Sequence, residues 1–400
     1  MNRLATPSVS TTAVLRYGLS LSAAAALLAG CGGSQPPLGV SPQKLSTQQS
    51  HAHATYDILH EFGSLKRDGT NPSADLINVE GALYGTTTYG GANNAGTVFS
   101  ITKSGKETVL HSFGGSNDGW YPVAALLNVK GTLYGTTTLG GGGEGTVFSI
   151  TPGGTEKVLH AFPYYGNGYP RAALIDVNGT LYGTTSQNFY SSVTYGSVFS
   201  ITTGGKFKVL KVFHDLANPE AALVDMNGTL YGTTNSGGQY SDGSVFSISA
   251  AGKYHLLYAF GKNYPNDGAG PQAALIAVDG TLYGTTVGGG PDRGGTVFSI
   301  TTDGTLKTIY GFGGSDGSNP VADLIYFKGV LYGTTSKGGM KNVGTVFRVT
   351  TSGEETVLHT FSAGSGENPQ AGLLEVGGTL YGTTYGAAKN HHGNIFSLRP

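Results

Sequence analysis

Side chains of the types that do chemistry fall at a few places in this sequence. His60, His111, His160 and His359 recur along the chain and suggest metal ligation, with Lys211, Tyr258 and Tyr310 in the equivalent positions elsewhere. If these residues sit on an outer strand of each repeat, equivalents in neighbouring units are roughly 15 Å apart at the ~4.8 Å spacing of strands. That is too far for one ion to bridge, so packing is the expected role and no metal or other cofactor is expected. The neighbouring His391 and His392 are equally read as loop residues. A second set is Asp68, Asp118, Asp267 and Asp316, which open the pattern D-G-x-x-P, with Asp215 at the same offset from Pro219. Calcium loops bring several oxygens together within one loop. One carboxylate per repeat fits a structural turn in which the side chain accepts backbone N–H bonds.

Catalytic pockets are usually built from unlike groups, so irregular positions matter most. After a recurring proline stand Ser73, Val123, Arg171, Glu220, Gln272, Val321 and Gln370. Arg171 and Glu220 fall in consecutive repeats and fit a salt bridge, or a clamp on an anionic or hydroxylated ligand. Aromatic residues gather in the loops: Trp120, Tyr121, Tyr164, Tyr165, Tyr169, Phe189, Tyr190, Tyr195, Tyr240 and Tyr264. Among Asn, Asp, Ser and Gly such rings stack on sugars, anchor proteins, or pack on one another. No nucleophile elbow, zinc motif or phosphate loop occurs.

The elements that would position these residues are legible from one phrase. GTLYGTT occurs at Gly131, Gly179, Gly228, Gly280 and Gly378, with GALYGTT at Gly81 and GVLYGTT at Gly329. The tyrosines of the phrase are 48 to 52 residues apart. Four strand-like runs recur in each unit, here termed a to d; in the second they are AALLNV from Ala124, TLYGTT from Thr132, TVFSIT from Thr146 and EKVLHAF from Glu156. Asn-Gly and Asp-Gly pairs such as Asn178-Gly179 and Asp279-Gly280 join a to b, as type I′ hairpins require. Such a period predicts an all-β, seven-bladed propeller with four antiparallel strands per blade. Strand a opens on Pro-x-Ala, small enough for a crowded axis, and strand d ends in Phe, which suits the wider rim. One d-type run, YDILHEF from Tyr56, precedes every other strand, and the chain ends after a seventh c run at Asn394. The N-terminal strand is therefore expected to complete the last blade and close the ring.

Through D-G-x-x-P, LYGTT and GTVFSI the repeat resembles the GloVer tandem-repeat family, whose members carry varied cell-surface anchors. The resemblance covers nearly all of residues 55–400. It implies the propeller and a surface location, and implies no particular activity. The single Trp argues against a propeller of the quinoprotein kind with repeated Trp docking motifs.

Gly accounts for 67 residues, only 12% are charged, and the net charge of −1 comes with no basic stripe. Nucleic acid is therefore not an expected partner. The only cysteine, Cys31, excludes an intrachain disulfide and a CxxC metal site. Arg3 and Arg16 precede an apolar run from Leu19 to Ala29 that is too short to span a bilayer and has the charge order of an export signal. Its ending, Leu28-Ala29-Gly30-Cys31, resembles the lipobox of bacterial lipoproteins. Residues 1–30 then form a signal peptide, and Cys31 carries the acyl chains that bind the membrane. Residues 31–54, rich in Pro, Gln, Ser and Gly, form a flexible tether. Gly32 in place of Asp favours the outer membrane. In such a fold the a–b and c–d turns share one face, while the longer b–c and d–a connections share the other. The expectation is a monomeric, lipid-anchored, non-enzymatic module that binds polysaccharide or protein through this loop-rich face. The alternatives are a lyase or hydrolase of envelope polysaccharide at the axial pore, with Arg171 and Glu220 in it, and a purely structural surface protein.

Overall fold

Residues 54–164, 166, 168–186, 196–214, 217–386 and 391–400 are described by a computed structural model. The regular elements among them are all strands. They build seven four-stranded antiparallel sheets, ordered a-b-c-d. In the first blade these are Ile77–Val79, Ala82–Thr87, Thr97–Ile101 and Glu107–Ser112. The a–b turns hold positive φ at both residues, for example Asn178 at 55° and Gly179 at 82°, as a type I′ turn demands.

The ring closes as expected. Strand Thr55–Glu61 pairs antiparallel with Asn394–Arg399, running from Thr55 opposite Arg399 to Glu61 opposite Asn394, and so supplies strand d of the seventh blade. Its register slips once, between Ile58 and His60. Every other c–d pair has the same irregularity, as at Val98/Phe99, leaving the equivalent of Leu59 bulged. The bulge lets the neighbouring c–d turn approach closely: a Cβ on Gly105 would lie 2.3 Å from the Leu59 carbonyl oxygen.

Strand a is shorter than its sequence pattern, with a ladder only over Leu127–Val129 where Ala124–Val129 was expected. Proline cannot donate to a ladder, and the following alanine turns its carbonyl to the adjacent blade instead. The hydroxyl that meets it explains the repeated phrase. Thr86 Oγ1 donates to Ala124 O at 3.2 Å, Thr136 to Ala172 at 3.2 Å, Thr184 to Ala221 at 3.0 Å and Thr233 to Ala273 at 3.2 Å. Thr285 to Pro320 and Thr334 to Ala371 continue the series. The second threonine pins strand b to strand c, with Thr137 Oγ1 2.8 Å from Thr146 Oγ1. The glycine before them is obligatory on space alone: a Cβ on Gly135 would sit 2.5 Å from Phe148 Cζ.

There is no single central core. Seven clusters each span two neighbouring blades, such as Tyr84, Val98 and Phe113 of the first with Leu126, Leu133 and Phe148 of the second. The phenylalanines that end strand d are not exposed at the rim. They are buried between blades and meet the strand-c Phe of the next one edge-on, as Phe62 with Phe99 at 5.2 Å and Phe312 with Phe347 at 4.9 Å.

Candidate functional site

Where the a strands begin, the converging blades leave an axial cavity of about 660 Å³ on the face of the b–c and d–a connections. All seven residues that follow the recurring proline line it: Ser73, Val123, Arg171, Glu220, Gln272, Val321 and Gln370. Arg171 and Glu220 do come together, with Nε and Oε1 4.0 Å apart at the limit of an ion pair. Glu220 is held from elsewhere, because Asn218 Nδ2 donates to Oε1 at 3.0 Å and Asn235 Nδ2 to Oε2 at 3.3 Å. The guanidinium is half exposed, so most of its donors remain available to a ligand.

Above this layer Tyr89, Tyr121, Tyr169 and Tyr385 line the wall. Tyr121 and Tyr169 immediately precede the recurring proline, and their N–H groups bond Ala95 O at 2.8 Å and Glu144 O at 2.7 Å in the preceding blade. Both have φ of 60°. Asn71, Asn319 and Asn368 take the same conformation at the same position, with Gly270 in a fourth blade. Asn and Gly adopt it readily, whereas a tyrosine there is strained by about 1–2 kcal/mol. Tyr89 meets Tyr121 edge-on at 5.2 Å, and burial followed by the adjacent Tyr89 hydroxyl raises the Tyr385 phenol above its ordinary value. Tyr121, Tyr89 and Tyr385 are thus linked in sequence along the wall.

Two further residues of the pocket were not anticipated. The residue after Pro-x-Ala is Ala in four blades, Gly372 in the seventh, and Asp75 and Asp323 in the first and sixth. Asp75 Oδ1 accepts the Gly372 N–H at 2.5 Å, and Asp323 Oδ1 accepts the Ala274 N–H at 2.6 Å. The missing side chain of Gly372 makes the room, since a Cβ there would lie 2.9 Å from Asp75 Oδ2. Burial first, then the facing Asp323, pushes the Asp75 carboxyl up to about 7 against the pull of the Gly372 N–H. Burial raises Asp323 as well. Both carboxyls are thus pushed toward the protonated form, and the charge of one disfavours ionisation of the other. The signal available in the sequence was the departure from alanine at an axial position.

Trp120, Tyr164, Tyr240 and Tyr264 are exposed and do not line the cavity. Trp120 is placed by a short ribbon in which Gly119–Trp120 pairs with Leu139–Gly140. Tyr165, Phe189, Tyr190, Tyr195 and Asp215, like Cys31 and residues 1–53, lie outside the described residues.

Four of the aspartates of D-G-x-x-P accept backbone N–H bonds. Asp68 Oδ2 accepts from Ser64 N at 3.2 Å, Asp118 Oδ1 from Gly119 N at 2.7 Å, Asp267 Oδ2 from Asn263 N at 3.0 Å and Asp316 Oδ1 from Gly313 N at 3.0 Å. They also meet the strand-d position, a contact that a comparison of histidines with one another could not show. His111 Nε2 is 3.0 Å from Asp118 Oδ2, and Tyr258 and Tyr310 hydroxyls donate to Asp267 and Asp316 at 3.0 and 2.5 Å. His160 and His359 instead stack on Phe207 and Tyr56, in the packing role expected, and burial lowers both, His359 to about 4. A carboxylate from the next blade joins some of these contacts. Burial and the nearby aspartate push Glu107, Glu156 and Glu355 up to about 7, with His60 and His111 opposing the rise in the first two.

Comparison with known proteins bears on the scaffold. The sequence matches the family model described as the Gloeobacter/Verrucomicrobia repeat over residues 45–246 and 218–400. None of the curated proteins matches. Among solved structures, a streptogramin B lyase is similar with a TM-score of 0.59 at 14% identity, covering 86% of this chain and 97% of that one. The quinohemoprotein alcohol dehydrogenase of Comamonas testosteroni gives 0.53 at 11% identity, over 86% of this chain and 76% of its own. PorZ, described as a surface component of the type-IX secretion system of Porphyromonas gingivalis, gives 0.51 at 15% identity, over 81% and 46%. At these identities the likeness is one of fold.

Proposed function

The chain belongs to the Gloeobacter/Verrucomicrobia repeat family, and from that premise we propose that it is a cell-surface binding propeller whose axial pocket takes a polyhydroxylated ligand, a terminal sugar unit of an envelope polysaccharide. The observation that carries this reading is the pair Tyr121 and Tyr169, held in a strained backbone conformation with their rings on the pocket wall. Scaffold positions that asparagine fills elsewhere in the ring are here spent on aromatic surface. Beneath the rings, Arg171, Glu220, Gln272 and Gln370 offer donors and acceptors of the kind hydroxyl groups need. Glu220 balances the guanidinium of Arg171 and any charge on the Asp75–Asp323 pair adds to the negative side, so a neutral or basic sugar is favoured over an anionic one. Acyl chains on Cys31 would hold the module at the outer membrane, with residues 32–54 as the tether.

A glycan array followed by calorimetry on the purified chain tests the proposal. Binding of a neutral or amino sugar, weakened at least tenfold by Tyr121→Ala or Tyr169→Ala, is expected. Binding untouched by both substitutions, or capture of an envelope protein with no glycan bound, would sink it. For the anchor, Cys31→Ser should move the protein from the membrane to the soluble fraction.

A second reading is favoured by the Asp75–Asp323 pair. A carboxyl raised to about 7, as Asp75 is by burial and the facing Asp323, suits general acid catalysis near neutrality, and a propeller lyase or hydrolase would place it under the sugar. Turnover of the bound glycan that Asp75→Asn abolishes while binding persists would establish that reading instead.

A further inference from the structure

We propose that the blade interfaces beside the closing seam contain divalent-metal sites, each made of a strand-d histidine, the turn aspartate that follows it and a glutamate from the next blade, and that they take Zn²⁺. The first is His60, Asp68 and Glu107, and the second is His111, Asp118 and Glu156. Within each set one donor atom per residue lies within 4.8 Å of the others. Zinc bound at about 2.0–2.2 Å needs donors roughly 3.4 Å apart, the separation that His60 Nε2 and Asp68 Oδ2 already have.

The state of the first site points to a ligand. The His60 side chain is 8% exposed and that of Asp68 is fully buried, with Nε2 and Oδ2 3.4 Å apart. His60 Nε2, Asp68 Oδ1 and Glu107 Oε1 are buried and make no hydrogen bond. Three buried polar atoms without a hydrogen bond, on side chains whose donor atoms lie this close together, are costly unless something satisfies them. The backbone N–H of Ser64 already fixes Asp68 through Oδ2, so the cradle is oriented from outside. At the second site Glu156 Oε1 is likewise buried and unpaired.

The repeat supplies internal controls. In the interface formed by Tyr310, Asp316 and Glu355 a phenol replaces the imidazole and donates to the aspartate at 2.5 Å, filling the space between them. One imidazole nitrogen with two carboxylate oxygens suits zinc better than calcium or magnesium, which take oxygen alone. Three protein ligands leave a fourth position for water, and the bound ion would act as a staple between blades.

The test uses the full chain stripped of metal by a chelator, titrated with Zn²⁺ by calorimetry and checked by elemental analysis. Two zinc ions per chain are expected, with thermal midpoint rising on metal addition. His60→Asn and His111→Asn should each remove one equivalent, and the double variant should lose the zinc-dependent rise while its metal-free midpoint stays within a few degrees of the parent. Tyr310→His should add a third equivalent by completing the Asp316–Glu355 set. A stoichiometry of zero, or one that none of these substitutions changes, overturns the proposal.

Discussion

Replacing Phe62 with Ala asks whether the ring is held shut by its N-terminal strand. Phe62 is fully buried in the cluster that joins the last and first blades, beside Leu83, Phe99, Ile101, Tyr381 and Ile395. Its ring meets Phe99 edge-on at 5.2 Å and His60 at 4.9 Å. Phe312, in the middle of the chain, has the same burial and nearly the same contacts, with Phe347 at 4.9 Å and Tyr310 at 5.2 Å. Emptying either site removes a buried aromatic and leaves a cavity, at a cost of about 3–5 kcal/mol. For a domain of this length the unfolding entropy converts that into a fall in Tm of roughly 4–7 °C. In a closed ring the two substitutions cost the same and shift one cooperative transition, because the strand carrying Phe62 cannot leave without opening the last blade. Guanidinium unfolding followed by tryptophan fluorescence and far-ultraviolet dichroism measures both. A cost below about 1 kcal/mol for Phe62→Ala, with Phe312→Ala in the full range, would show that the terminal strand frays and would refute the closure argument. A separate early transition for Phe62→Ala alone would do the same.

Arg171→Val installs the residue that Val123 and Val321 provide in other blades; the half-exposed guanidinium reaches Glu220 only at 4.0 Å, a contact worth no more than about 1 kcal/mol, so Tm should hold while glycan binding falls at least tenfold. A parallel fall in Tm of many degrees would assign Arg171 to the scaffold. Thr334→Val removes a buried hydroxyl that donates to Ala371 O at 3.0 Å and should destabilise by about 1–3 kcal/mol, read from denaturant midpoints, whereas an unchanged midpoint would deny the inter-blade bond its role. Glu355, raised to about 7, keeps its proton in the native state where the unfolded chain has lost it, so its contribution to stability is full below about pH 4.5 and fades as pH climbs through 7. His359, lowered to about 4, acts oppositely, costing stability as pH falls below about 6.5. Tm measured from pH 4.5 to 7.5 should therefore rise more steeply with pH in Glu355→Gln than in the parent, and identical slopes would contradict the assignment.

The scaffold was legible because each of its rules is written seven times. The offset of the first d strand and the Asn-Gly turns reappear at the registers their spacing implies, whereas Pro-x-Ala lies ahead of the strand-a ladder it was expected to open. The pocket was legible only in part. Arg171, Glu220, Tyr121 and Tyr169 stand at or next to the recurring proline, so the period alone put them near the axis. Tyr89 and Tyr385 follow the LYGTT phrase, and nothing in a period within one blade says that the exit of strand b leans over the channel. Asp75 and Asp323 were hidden because their partners are backbone N–H groups of other blades, Gly372 for Asp75 at the far end of the repeat array and Ala274 for Asp323 in the preceding blade. His60 and His111 have their neighbours in the following turn and the next blade, which a period along one strand type does not encode. Sequence periodicity fixes register inside a sheet, but the stagger between packed sheets comes from side-chain packing.

That stagger also explains where the chain departs from its own pattern. Six interfaces among the described residues carry the threonine bond to the next blade, while at the seam between the seventh and first blades Thr383 Oγ1 is buried without a partner. The same seam is where Asp75 reaches back to the Gly372 N–H, and where His60 of the terminal strand faces Glu107 of the first blade. A repeat laid down uniformly would leave the interface formed by the two chain ends no stronger than any other, although only pairing and packing hold its last strand in place. Polar groups that break the repeat are concentrated there and at the axis below it. An ion bound at His60, Asp68 and Glu107 would therefore act on the step that closes the ring, and its removal should lower the barrier to opening the last blade before it loosens any blade in mid-chain. Hydrogen exchange in the terminal strand Thr55–Glu61, compared with Glu355–Thr360 in the presence and absence of Zn²⁺, separates these: protection lost first in the terminal strand follows from the seam argument, and equal loss in both strands contradicts it.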